Sequence, residues 1–257
     1  MNVRTMLETR VRAIWAMAAV VAAGLGGFFL VPAAAGAAGG AAPAPERAAI
    51  EKIVREYILS HPEILPEAMQ RLEDRQNARL LSANRSILEA GFPGTTAGNP
   101  TGDVTLVVFF DYACPYCRKG HADVKQLVAS DPGVRIVYRD FPVLSPASEE
   151  AAMASLSAAT QGRYRAFHDA MFDSPGKVGH DRTLGLVGAT GLDVARTTSD
   201  LTAPALKAEV ARNLALGRAL GLTGTPSYIV GDRILSGAVG FDRLKEAVDA
   251  ARAARQG

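Results

Sequence analysis

Three hydrophobic periods divide this chain. An apolar run from Ala13 to Val31 carries no charge. Next come apolar residues at helical spacing: Ile50, Ile53, Val54, Tyr57 and Ile58, then Leu65, Ala68, Met69 and Leu72. Glu51/Arg55 and Glu67/Arg71 stand four apart on the opposite face, where such charges pair. Beyond Leu72 the stripe thins, with Leu80, Leu81, Ile87 and Leu88 extending it. From Val104 to Phe110 the run is continuous and β-branched, which predicts a buried strand. Arg118 to Ser130 predicts a helix that buries Ala122, Val124, Leu127 and Val128. Val134 to Tyr138 alternates like a strand, after the turn signal Asp131-Pro132-Gly133. Ser145-Pro146 reads as an N-cap with proline in the first turn. From there to about Leu222 the chain is alanine-rich and helical. Breaks at Gly162, Ser174-Pro175-Gly176, Gly191 and Ala203-Pro204 divide it into four or five helices. Ser227 to Val230 and Ile234 to Ser236 predict two strands joined at Gly231-Asp232, and Phe241 to Ala254 a terminal helix. This order describes an α/β layer with a helical insertion.

Two glycine- and proline-rich joints bound the helical stretch that precedes the layer. Gly39 to Pro45 opens it; Gly91-Phe92-Pro93-Gly94 and Gly98-Asn99-Pro100 close it as a linker. Inside it, Ser60-His61-Pro62-Glu63 reads as a helix restart, with Ser60 as N-cap and Glu63 completing a capping box. An amphipathic arm of this length must cover its apolar face. Copies of itself are the favoured cover, giving a homo-oligomer through residues 46–90; the plain alternative is packing on its own chain.

Composition adds a compartment and removes some partners. The formal charge is +2, and the first 42 residues hold the excess through Arg4, Arg10, Arg12 and Glu8, leaving 25 basic against 25 acidic residues. That balance argues against nucleic acid as a partner. The basic start, the 19-residue apolar run and the small residues Pro32 to Ala38 follow the order of an export signal. A retained anchor is the alternative, since the run is long enough to span a bilayer. Either way the remainder is expected in the periplasm, where disulfide chemistry operates. The only tryptophan, Trp15, lies in this leader, so a cleaved protein should show no tryptophan fluorescence.

The chain has two cysteines, Cys114 and Cys117, with Pro115 and Tyr116 between them. A loop that short constrains the unfolded chain little, so a structural disulfide is not the reading. Cys114 falls at the turn from predicted strand to predicted helix. Free backbone N–H groups and the positive end of the helix dipole converge there and favour a thiolate, the form that attacks disulfides. Cys117, nearly one helical turn on, can reach back to it. A metal site competes. Cys114, Cys117 and His121 share a helical face, His61, His168 or His180 could complete four ligands, and the dithiolate could carry copper(I). Structural zinc motifs bring more cysteines, and His121 reads as a solvated helix residue.

Phe109-Phe110-Asp111-Tyr112-Ala113-Cys114-Pro115-Tyr116-Cys117, followed by Gly224-Thr225-Pro226-Ser227-Tyr228-Ile229 and Ile234-Leu235-Ser236-Gly237-Ala238, resembles the DsbA-family thiol–disulfide oxidoreductases. Arg165 to Phe172 resembles a helix of that family's insertion. Tyr57 to Leu65 is similar to the N-terminal segment of the branch tied to suppression of copper sensitivity, some of whose members oligomerise through it. The resemblance implies a thioredoxin-like fold with a helical insertion at about 145–222, preceded by an amphipathic helical arm. The implied division is a signal peptide at 1–42, the arm at 43–98 and the catalytic domain at 99–257. It implies that Thr225-Pro226 forms a cis-proline loop facing the cysteines, where an extended client can pair by main-chain hydrogen bonds. It also implies client proteins with cysteines, a membrane redox partner, and no cofactor or metal. The expected activity is disulfide isomerase or reductase, with dithiol oxidase as the alternative. One departure is plain: the buried acid six residues before the first cysteine in thioredoxins is here Val108. Asp111 is the nearest acid, placed either to manage protons or to cap the turn.

Overall fold

The computed structural model describes residues 44–255. The signal peptide predicted at 1–42 lies outside them. The chain divides into two compact units between His61 and Pro62.

The first unit contributes helix α1 (Ala44–Ser60). Ile50, Ile53, Val54, Tyr57 and Leu59 are all about half exposed or more, so the helix itself buries none of its apolar stripe. Glu51 pairs with Arg47 at 3.0 Å instead of with Arg55. Ser60 is the last residue of this helix and not the N-cap of the next. Its hydroxyl donates back to the Glu56 carbonyl at 2.7 Å, a local bond open to a serine whose helix runs on to it.

The second unit begins with α2 (Ile64–Ala90) and continues β1 (Thr96–Gly98), β2 (Val104–Phe110), α3 (Pro115–Ser130) and β3 (Val134–Asp140). The insertion is five helices: α4 (Pro146–Thr160), α5 (Tyr164–Asp173), α6 (His180–Ala189), α7 (Val194–Asp200) and α8 (Pro204–Ala219). Then follow β4 (Ser227–Val230), β5 (Arg233–Ser236) and α9 (Phe241–Ala254). The strand order is β1-β3-β2-β4-β5. β2 and β3 are parallel, and the other pairs are antiparallel. Helix breaks fall where the sequence puts them, with Gly162 and Gly191 at φ of 68° and 74°. Ser145 caps α4, its hydroxyl accepting the Ser148 N–H at 3.2 Å.

β2 reads as a continuous apolar run because both its faces are covered. Leu106, Val108 and Phe110 face one core with α3, α9 and part of the insertion. Val107 and Phe109 face the other, with Val137, Ile229, Leu216 and Leu220. Leu81 and Leu88 of α2 belong to that second core. Its anchor is Arg139 on β3, 2% exposed, whose guanidinium donates to the Leu88 carbonyl at 3.2 Å, to the Ile87 carbonyl, and to Asn213 at 2.7 Å. These are helix-end carbonyls with no partner inside α2.

This arrangement differs from a domain boundary at 98/99. The end of α2 is core of the second unit, and residues 96–98 form an edge strand in register with Arg135 to Val137. A three-residue strand ending in Gly98 is too short for any periodicity to announce.

Candidate active site

Cys114 occupies the N-cap of α3, with φ −83° and ψ 119°, and Pro115 enters the first turn, so the helix starts three residues before Arg118. The Cys114 carbonyl accepts from the N–H groups of Cys117 (3.1 Å) and Arg118 (3.3 Å). Both cysteines are free and buried, Cys114 at 6% and Cys117 at 2% exposure; Tyr116 between them is 67% exposed. Burial pushes the Cys117 thiol well above its usual range, outweighing the hydrogen bond it accepts from the Asp111 N–H at 3.5 Å.

Thr225-Pro226 is cis and faces the pair: the Cys114 thiol lies 3.2 Å from the Thr225 carbonyl, across 111 positions of sequence. The Ser227 hydroxyl donates to the Gly224 carbonyl at 2.7 Å, and the Gly237 N–H donates to the Pro226 carbonyl at 2.8 Å. Thus β4 and the end of β5 hold the loop from both sides.

Asp111 is buried, and its carboxylate is fully engaged. One oxygen accepts the Ala113 N–H at 2.8 Å, and the other accepts those of Val143 (2.9 Å) and Leu144 (3.1 Å). It ties the cysteine turn to the loop after β3. That loop exposes Val143 and Leu144 beside the turn. A cleft of about 860 Å³ opens at Cys114, lined also by Pro115, Pro146, Ala147, Pro175 and Val178.

His121 is buried at 5% exposure, not solvated. It stacks on Phe172 at 5.0 Å and stands 3.3 Å from Asp169 and 5.1 Å from the His168 ring. The reason is the inserted α5, which covers the face of α3 that a bare strand–helix unit would leave wet. His168 is likewise buried, and His180 is exposed against Glu150 at 2.7 Å. Among the described residues no group of three or more His, Cys, Asp or Glu side chains could hold a metal, so the four-ligand alternative does not assemble.

Sequence reasoning missed a polar cluster behind the turn. The Tyr112 hydroxyl donates to Ser155 (3.1 Å), which donates to Asp140 (3.4 Å), and His168 Nδ1 lies 3.0 Å from the same hydroxyl. Burial raises the Asp140 and Tyr112 pKa values and lowers that of His168, disfavouring the charged form of each in the core. The signal for it was present only as scattered polar residues in apolar runs.

A mixed sheet, a cysteine pair at a helix N-terminus and a cis Thr-Pro loop against it define a thioredoxin-fold redox domain. The profile of the DSBA-like thioredoxin domain matches residues 105–249, and the chain belongs to that family. The copper resistance protein ScsC N-terminal domain matches residues 46–79. A thioredoxin-like oxidoreductase from Silicibacter pomeroyi DSS-3 is 44% identical, with a TM-score of 0.64 over 66% of this chain and 98% of that one. A linker-deletion mutant of Proteus mirabilis ScsC is 27% identical, with a TM-score of 0.66 over 83% of this chain and 98% of that one. The chain is also 31% identical over 156 residues to the Na(+)/H(+) antiporter NhaA of Herminiimonas arsenicoxydans, which covers 60% of this chain and 25% of the antiporter. The chain thus spans about a quarter of the curated relatives it matches first. Among the described residues no helix is long and apolar enough to cross a membrane.

Proposed function

We propose that this protein is an exported, periplasmic thiol–disulfide oxidoreductase that reduces or isomerises client disulfides. The observation that carries the reading is the Cys114 thiol at the start of α3, 3.2 Å from the Thr225 carbonyl and open to a cleft. The Cys114 thiolate attacks one sulfur of a client disulfide; that bond breaks and the client keeps one thiolate. Cys117 then attacks Cys114, forming the Cys114–Cys117 disulfide and releasing the second client thiolate. A membrane partner returns two electrons to the pair. In isomerisation the client's own thiolate displaces Cys114 instead. Pro226 and the main chain beside it would align an extended client, and Asp111 would hold the turn through its three backbone hydrogen bonds.

The exposed stripe of α1 supports homo-oligomerisation, and with it the isomerase direction, since several active sites around one space can hold a misbridged client. Trapping the thiols in cells by rapid alkylation tests the direction. A mostly reduced Cys114/Cys117 pair is expected; a mostly oxidised one would assign the protein to disulfide introduction. Cys114→Ser should abolish turnover, and Cys117→Ser should accumulate mixed disulfides. Full turnover without Cys114, or copper binding without any exchange, sinks the enzymatic reading.

A further inference from the structure

Before Cys117 can attack, its thiol must lose a proton, and its burial makes that loss costly. Val108, in the same core, offers no acceptor, and the Asp111 oxygens already take three backbone N–H groups. The Thr225 side chain also hydrogen-bonds the Cys117 sulfur, and two further polar groups stand along the same helix, at and beyond Gly120. Tyr228 on β4 pairs directly opposite Val108 on β2, so both side chains point to the same face of the sheet, in one cluster with Cys114 and Cys117. Its hydroxyl reaches the backbone of α3 at Gly120. A Cβ there would overlap that oxygen and would stand 3.4 Å from Pro226. Glycine is thus required by the close approach. Gly120 is one helical turn beyond Cys117 and one turn before Asp123. Asp123 holds its Oδ2 buried with no hydrogen-bond partner.

We infer that Tyr228 and Asp123 form the proton path of Cys117, with Tyr228 as the relay and Asp123 as the terminal acceptor. The inference rests on the oxidoreductase reading above. When Cys117 attacks the mixed disulfide, its proton passes to the Tyr228 oxygen as the Tyr228 proton passes to Asp123. The Cys117–Cys114 bond forms, the Cys114–client bond breaks, and the client leaves as a thiolate that solvent protonates. Asp123, half-buried on α3, then releases its proton to water. Burial and the charges of Cys117 and Asp123 push the Tyr228 phenol up, so it acts as a relay and never rests as phenolate. Tyr138 on β3 and Cys114 also act on Tyr228. α9 turns Leu244, Ala247 and Val248 inward, β5 sets Leu235 opposite Tyr228, and Asp169 and Asp173 of α5 face His121.

Glutathione disulfide is a sufficient probe. The reduced mature protein captures glutathione on Cys114, Cys117 expels it, and quenched mass spectra follow the adduct from about pH 6 to pH 9, around the ordinary titration range of a thiol. Tyr228→Phe keeps the ring, and Asp123→Asn, which keeps the side-chain shape at a half-buried position, keeps the test open should the first variant loosen the core. Each should slow expulsion by roughly tenfold or more at neutral pH and move the rising limb of its pH profile upward. Capture, measured with Cys117→Ser as background, separates this from packing. Equal slowing of capture and expulsion, or profiles that coincide with the parent, overturns the proton path. If the parent itself never captures glutathione, the oxidoreductase reading falls and the path falls with it; if the parent works and the variants match it, only the path falls.

Discussion

Helix α2 carries one apolar stripe and puts its two halves to different use. Leu65, Met69 and Leu72 at its start are 52%, 72% and 57% exposed, whereas Leu81 and Leu88 near its end are 1% and 3% exposed. The period is the same in both halves. What differs is what stands opposite: a sheet face of Val107, Phe109, Val137 and Ile229 waits for the second half. Amphipathicity states that a face needs a partner and says nothing about which one.

The buried half of α2 depends most on Arg139. Arg139→Met would strand the α2 carbonyls and Asn213 in the core, and should cost about 3 kcal/mol or more in denaturant unfolding. A loss below about 0.5 kcal/mol would mean that α2 is not anchored there. Leu88→Ala should cost about 2–5 kcal/mol, as for other buried leucines. The buried histidine behind the turn comes next. His168 is held neutral, with its pKa well below 6.5, first by burial and then by the charges of His121, Arg165 and Lys125. The unfolded chain takes up a proton near pH 6.5 and the folded chain does not. Its contribution is therefore present above pH 6.5 and lost as pH falls below it, by about 1.4 kcal/mol per pH unit. Urea unfolding at descending pH should show that slope in the parent and lose it in His168→Gln. Smallest is Met69→Ser on the exposed half, which should change the stability of the second unit by less than about 0.5 kcal/mol. Sedimentation of Met69→Ser and of Ile53→Asp should nevertheless show a weakened oligomer. If both sediment as the parent does, the exposed stripes are not the assembly surface.

Much of the site is legible in the chain because its chemistry is local. The strand Val104–Phe110, the turn holding Cys114, and the proline in the first helical turn follow from adjacent residues, and so does the Ser145 cap. His121 is not legible. Its position on α3 points to solvent until α5, encoded some fifty residues later, closes over it with Phe172 and Asp169.

Taken alone, the amino-acid order determined where the strands β2 and β4 and the helix α9 lie, where the cysteines fall and which loop carries Thr225-Pro226. Each depends on the period or on turn chemistry within a dozen residues. Only the tertiary structure decided that Thr225 meets Cys114, that Tyr228 lies across from Val108 and points to Gly120, and that α2 gives one half to the core. Those are pairings between segments far apart in the chain. Strand register and packing choose them, and no local window of sequence contains both partners.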